Sequence, residues 1–275
     1  MPKSVSTFRE LEKAAAAYVE SIADTAGLLW TRGWAESGAG NMSYDLRDAL
    51  DLRGPLLRKR PQLPLPMNGT ALQHAVLLVT AAGSRMRDIA ADPLRHLMVL
   101  AVDEHGTACR LVPLGGGDIR PTSELATHCA VHNLLRERRS PHRVIVHTHP
   151  TELIALMHAR ACRRESRINA VLFSMYPEAA IAVPEGVGLV PYILTGSDTL
   201  AAETLRRLET TPVVLWEKHG CLAVGGDPQS AFDRIDVMNK AAQMYLMCRS
   251  AGYRPSGLSA GQIEELRSKF SSLKM

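Results

Sequence analysis

The segment Val144-Ile145-Val146-His147-Thr148-His149-Pro150 carries the most concentrated chemistry in the chain. Three β-branched residues and a closing proline predict the mouth of a buried strand. Alternate residues of a strand face the same way, so His147 and His149 project together, roughly 7 Å apart at the backbone. Two imidazoles so placed can share one divalent ion, each through a bond of about 2.0–2.1 Å. A second apolar run, Val213-Val214-Leu215-Trp216, also leads to a histidine at a turn, in Glu217-Lys218-His219-Gly220. Three neutral histidines with one open position are what a catalytic zinc ion requires, because the open position receives substrate oxygens. Taken singly, His219 fits a surface turn equally well, and a lone His-x-His pair arises readily by chance.

His128 and His132 form a rival pair, four residues apart on one helix. That spacing also suits a metal, but Cys129 stands where the zinc-protease helix places a glutamate, and the pair ranks behind. Thr122-Ser123-Glu124 offers two hydroxyls and the free amides of a helix start, a seat for an anion. Glu124 reads either as a capping carboxylate or as a general base or displaceable metal ligand. Gly40-Asn41 and Gly83-Ser84 are loops able to present amides to an anion, or simply turns. Glu178, in Met175-Tyr176-Pro177-Glu178, is a further carboxylate of interest whose plain reading is a surface residue. Cys221 lies close enough to His219 to suggest a nucleophile, though a small apolar strand residue is the simpler account.

The elements that position these groups follow from periodicity. Residues 8–30 place Phe8, Leu11, Ala15, Tyr18, Ile22 and Leu29 mostly at helical steps, with Thr7 and Glu10 as a capping box and Gly33 as the stop. The glycine-rich stretch 38–43 leads into a short strand over 42–46. Residues 47–74, with Gly54, Pro55, Pro61, Pro64, Pro66 and Gly69, read as an irregular surface excursion. Strands are expected over 76–80, 97–102 and 143–149, near 179–183 and over 213–216. Helices are expected over 125–136, with Ser123 as N-cap, and over 151–160. Asp227-Pro228 opens a long helix to about Ser250, and Ser259 with Gln262 caps a last one. Strands interspersed with helices indicate one α/β domain over 1–275. Many strand-to-strand steps are too short for helical crossovers, so the sheet should be mixed or antiparallel. No Gly-x-Gly-x-x-Gly follows a first strand and no Gly-Lys-Ser/Thr loop occurs, so nucleotide chemistry lacks support.

Composition narrows the classes further. Apolar residues make up 46% of the 275, enough for a full core without staples. The five cysteines are scattered, with no Cys-x-x-Cys pair, so neither a disulfide framework nor a thiolate zinc knuckle is indicated. The net charge of +4 is dispersed apart from Arg58-Lys59-Arg60, which has no aromatic neighbours for stacking bases. A nucleic-acid partner is therefore not expected, whereas a small anionic substrate suits the slight basic excess. Met1-Pro2-Lys3-Ser4 leads into an amphipathic segment without a signal-peptide centre, and no apolar run approaches ~20 residues. A cytoplasmic protein without a membrane partner is the expectation.

In order along nearly the whole chain, these motifs resemble the class II aldolase/adducin family. The resemblance runs from Trp30-x-x-Gly33-Trp34-Ala35-Glu36 and Gly40-Asn41 through Thr122-Ser123-Glu124 and His147-x-His149. It continues through Pro184-x-Gly186-x-Gly188, Trp216-Glu217-Lys218-His219-Gly220 and Phe232-Asp233-x-Ile235-Asp236. It implies a three-layer α/β/α fold around a mixed, mostly antiparallel sheet, and a homotetramer with active sites at subunit interfaces. It implies zinc on His147, His149 and His219, with Glu124 as acid/base and Glu178 assisting at the aldehyde end. Asn41, Gly83, Thr122 and Ser123 would hold the phosphate of a ketose phosphate substrate. The implied reaction is retro-aldol cleavage, with L-rhamnulose 1-phosphate the best-fitting substrate. Sibling reactions on fuculose or ribulose phosphates remain, as does a non-catalytic adducin-like assembly role, which would leave the three histidines without a purpose. Two departures bear on the substrate: Ala81 and Ala82 replace a glycine and a hydroxyl residue in the phosphate loop, and Gly38 replaces an asparagine found in some relatives.

Overall fold

The computed structural model describes residues 3–270 apart from 48, 53, 54 and 59, so Met1, Pro2, Gly54 and Lys59, named above, lie outside the described residues. The strands are β1 (Lys3–Val5), β2 (Asn41–Asp45), β3 (Leu50–Leu52), β4 (Gln62–Pro64), β5 (Val76–Thr80), β6 (Leu97–Val102), β7 (Ala108–Pro113), β8 (Val144–Thr148), β9 (Val187–Val190), β10 (Val213–Trp216) and β11 (Gly220–Gly225). The helices are α1 (Phe8–Thr31), α2 (Pro55–Arg58), α3 (Met86–Ala91), α4 (Leu125–Glu137), α5 (Thr151–His158), α6 (Glu165–Met175), α7 (Pro177–Ala182), α8 (Asp198–Leu208), α9 (Pro228–Ser250) and α10 (Ala260–Phe270).

Nine strands form one sheet in the order β4-β7-β6-β5-β2-β8-β11-β10-β9. β9 and β10 run parallel, and the other neighbouring pairs in this sheet are antiparallel. Side chains alternate between two cores, as the pleat requires. Met42, Val144, Val146 and Leu215 face a core completed by Leu29 of α1, Leu153 of α5, Leu172 of α6 and Phe232 of α9. Ile145, Val214, Trp216 and Leu222 face the other way, against Val131 and Leu135 of α4 and Leu200 of α8. Burial on both faces explains why the strands read as unbroken apolar runs rather than as alternating ones. The result is the α/β/α sandwich implied by the resemblance. No described helix is long and apolar enough to cross a membrane.

Several expectations change. Residues 179–183 are not a strand: α7 covers Pro177–Ala182, with proline in its first turn and alanines that favour helix. A short apolar run does not separate strand from buried helix by periodicity. The strand of that region is β9, where Gly188 allows α8 to approach; a Cβ there would meet Arg207 Cβ at 2.7 Å. Ser123 does not cap α4. Glu124 holds the cap position, and its N–H donates to Thr122 Oγ1 at 3.3 Å. Residues 47–74 contain β3, α2, β4 and a 3-10 turn at Thr70–Leu72; β4 extends the sheet beside β7, and Leu65 and Leu72 are buried.

One buried ion pair ties the sheet to α4. Asp45, at the end of β2, accepts from Arg136 Nε and Nη2 at 2.7 Å each, and from Arg47 Nε at 2.9 Å. Burial opposes ionisation of Asp45, but the Arg136 hydrogen bonds and the surrounding charges outweigh it and hold the carboxyl below its ordinary range. A depressed folded pKa stabilises the protein fully above the unfolded value of about 3.9 and loses that contribution as pH falls through the folded value. Urea unfolding should therefore show stability falling below about pH 4. Asp45→Ala should cost about 3–5 kcal/mol at neutral pH, because it strands Arg136 near the core, and should flatten that acid limb. A variant with the wild-type acid limb would contradict this.

Candidate metal centre

β8 lies mid-sheet between β2 and β11, with His147 opposite Asn41 on one side and Leu222 on the other. His149 follows the strand, its N–H donating to Trp34 O at 2.9 Å while Thr148 Oγ1 donates to the same oxygen at 2.7 Å. His219 stands in the β10–β11 turn, its N–H donating to Trp216 O at 3.0 Å. Lys218 takes up the left-handed conformation of that turn, with φ 63°. The glycine after it is required by packing: a Cβ on Gly220 would meet Thr148 O at 2.5 Å and His149 Cδ2 at 2.9 Å. Gly40, at φ 80°, similarly lets its loop approach His147 O.

These elements bring one ligand nitrogen from each of His147, His149 and His219 within 4.8 Å of one another. His147 Nδ1 donates to Cys221 O at 2.8 Å and His149 Nδ1 donates to Glu36 Oε1 at 2.9 Å. Both rings are thereby fixed with Nε2 bare, the tautomer a ligand needs. His219 carries a buried Nδ1 without a hydrogen-bond partner. Burial pushes His147 well below its ordinary pKa, with the His149 and His219 charges adding to it. Burial and then His149 lower His219. Burial opposes the Glu36 carboxylate, yet the His149 hydrogen bond and nearby charges hold its pKa down. Oriented rings and a clustered nitrogen donor set, with burial favouring the neutral form of His147 and His219, fit a divalent ion. Trp216 walls the group, its ring 4.5 Å from that of His147, and Trp216 Nε1 donates to Thr204 Oγ1 at 3.0 Å.

Glu124 is buried beside this group, with Oε2 3.6 Å from His147 Nε2. Since His147 is neutral, that approach is a contact rather than an ion pair. The same oxygen accepts from Asn41 Nδ2 at 2.9 Å. The loops holding the other expected residues converge nearby: Thr122 N–H donates to Thr80 O, Ala82 N–H to Arg120 O, and Gly38 lies against Gly83. Thr122 is buried while Ser123 and Gly83 are exposed. A cavity of about 690 Å³ opens beside Gly83, lined also by Ser84, Arg95 and Gly115 to Gly117; the triad histidines do not line it. Both amide atoms of Asn41 are engaged, one with Glu124 and one with His128.

Glu178 is exposed on α7, which packs against α6, α9 and α10. Among the described residues no hydrogen bond or ion pair joins it to the three histidines. His128 and His132 are not part of the metal group; both contact Ser43 Oγ, at 2.6 and 2.7 Å. Cys221 is fully buried and burial raises its pKa, which rules against a nucleophile. The role of Glu36 in orienting His149 was not drawn from the sequence. Its only signal was a carboxylate two residues beyond Trp34, and the contact with His149 spans 113 positions.

Three clustered histidines that could hold a metal ion, with a buried carboxylate at their side, thus lie on an α/β/α sandwich. Residues 20–246 match the family described as the Class II Aldolase and Adducin N-terminal domain, and the chain belongs to that family. It is a class II aldolase, a carbon–carbon lyase, and the family is metal-dependent. The chain is 35% identical to a rhamnulose-1-phosphate aldolase of Bacteroides thetaiotaomicron, over 95% of this chain and 97% of that protein. It is 30% identical to a rhamnulose-1-phosphate aldolase of Mannheimia succiniciproducens, over 88% and 90%. Its structure resembles the crystal structure of a sugar-phosphate aldolase from Thermotoga maritima, with TM-score 0.76, 30% identity, and coverage of 88% of this chain and 99% of that one.

Gly220→Ala should weaken zinc binding by about 10–100-fold, because the added methyl displaces the Thr148–His149 segment. His219→Ala removes one ligand nitrogen and should weaken binding further, leaving a two-histidine site that fills only at higher zinc. Both are read by competition with a chromophoric chelator, and wild-type affinity in the Gly220 variant would dismiss the packing argument.

Proposed function

We propose that the chain cleaves L-rhamnulose 1-phosphate between C3 and C4, with zinc on His147, His149 and His219. The products are dihydroxyacetone phosphate and L-lactaldehyde, a step of L-rhamnose degradation. The observation that carries the reading is the position of Glu124, buried and 3.6 Å from His147 Nε2 at the edge of the three-histidine group. Near full-length likeness to rhamnulose-1-phosphate aldolases supports this substrate over fuculose or ribulose phosphates.

Zinc supplies a Lewis acid that draws electrons toward the ketone of the substrate. Loss of the C4 hydroxyl proton lets the C3–C4 bond break, and its electron pair flows toward C2. Glu124 delivers a proton to C3 and removes it in the synthetic direction. Asn41 holds the Glu124 oxygen in place for that transfer. The substrate phosphate sits where Gly83, Thr122 and Ser123 converge, with Asn41 at its edge. Glu178 assists the proton at the aldehyde end, in a homotetramer whose active sites lie between subunits. The whole chain acts as one catalytic domain in the cytoplasm.

The test is dihydroxyacetone phosphate release from L-rhamnulose 1-phosphate, before and after chelation and with zinc restored. Release should stop on chelation and return with zinc. Glu124→Ala should lower kcat by about 10²–10⁴-fold with zinc retained. No release from folded, zinc-loaded protein would sink the substrate assignment, and release from L-fuculose 1-phosphate instead would identify the sibling activity.

A further inference from the structure

The N-cap of α4 and three residues of the helix, each four positions from the next, face three alternate residues of β2. Glu124, His128, His132 and Arg136 lie over Asn41, Ser43 and Asp45. Four residues of helix rise about 6.0 Å and two residues of strand about 6.6 Å, so the two rows stay in step. Arg136 and Asp45 close one end, and Glu124 forms the other. Between them runs a continuous hydrogen-bond chain: His132 Nε2 to Ser43 Oγ at 2.7 Å, Ser43 Oγ to His128 Nδ1 at 2.6 Å, His128 Nε2 to Asn41 Oδ1 at 2.5 Å, and Asn41 Nδ2 to Glu124 Oε2 at 2.9 Å.

The direction of every donor in this chain follows from one fact. Asn41 turns its NH₂ to Glu124 Oε2, which accepts, and its carbonyl to His128 Nε2. His128 must then carry its proton on Nε2, leaving Nδ1 to accept from the Ser43 hydroxyl. Ser43 in turn accepts from His132 Nε2–H, so His132 Nδ1 is left bare. That atom is buried and has no hydrogen-bond partner, so nothing there calls for a proton on it. Burial holds both imidazoles neutral, His132 down to about 4.

We propose that His128, backed by Ser43 and His132, is a positioning residue that fixes the rotation of the Asn41 amide and thereby aims Glu124 at the reacting carbon. The proposal rests on the acid/base reading of Glu124. It makes His128 and His132 parts of one polar seam rather than of a second metal site, and it reserves the Asn41 side chain for Glu124. A buried amide that lost its partner at Oδ1 could turn over, presenting oxygen to the carboxylate and repelling it.

His128→Leu removes the donor, whereas His128→Gln retains an N–H at similar reach. His128→Leu should lower kcat by about 10–100-fold with KM and bound zinc unchanged. His128→Gln should recover most of that loss. Equal kcat in wild type and His128→Leu, or no recovery in His128→Gln, would overturn the proposal. A second arm needs no turnover: ¹⁵N-histidine NMR of the zinc-loaded wild type should show His128 and His132 neutral and protonated on Nε2. Protonation of His128 on Nδ1 would refute the seam. A wild type inactive on L-rhamnulose 1-phosphate would refute the substrate assignment, while the NMR result would still decide the hydrogen-bond chain.

Discussion

The pairing of β8 with both of its neighbours is the constraint on which the centre depends. Antiparallel register sets His147 opposite Asn41 and Leu222, and sets Thr148 opposite Cys221. Because side chains alternate, that register turns Ile145 and His147 toward α4 and sends Val144 and Val146 into the core beneath α1, α5 and α9. A slip of one residue would exchange these sets and place an imidazole in the aliphatic core. The histidine cluster is therefore held by the same apolar packing that holds the sheet. Both β-branched neighbours of His147 in the strand are fully buried, which leaves little freedom for the ring between them.

A second layer of polar contacts turns geometry into chemistry. Cys221 O and Glu36 fix which nitrogen of His147 and His149 is bare, and burial keeps His147 and His219 neutral. Glu36 is largely exposed and Cys221 O is backbone, so one ring is oriented by an exposed carboxylate and the other by the sheet itself. Glu124 is held by Asn41 from the strand beside β8, which couples the carboxylate and His147 through adjacent positions of two paired strands. Backbone pairing thus sets the relative placement of Glu124 and His147 more tightly than a loop would.

Much of this was legible in the sequence where a local rule applied. The capping boxes at Thr7 and Ser259, the proline opening α9, and the apolar runs of β5, β8 and β10 all have short-range signatures. His147 and His149 declare themselves by alternation at the end of one strand, and His219 by its place after another. Where the signal was non-local or ambiguous it failed. The run at 179–183 suits strand or helix by composition, and Pro177 decided it for α7. Ser123 looked like a cap, but the turn made by Thr122 shifted that position to Glu124. The His128 and His132 spacing suits a metal but ranked behind the three-histidine group, and what it could not reveal was their partner, Ser43, 85 and 89 residues away.

X-ray absorption at the zinc edge of the metal-loaded protein tests the central claim most directly, since it reports the ligands without relying on turnover. Three imidazole nitrogens at about 2.0–2.1 Å, one of them lost in His219→Ala, are the result the account predicts. A sulfur shell near about 2.3 Å, or a spectrum unchanged by His219→Ala, would place the ion elsewhere and contradict it.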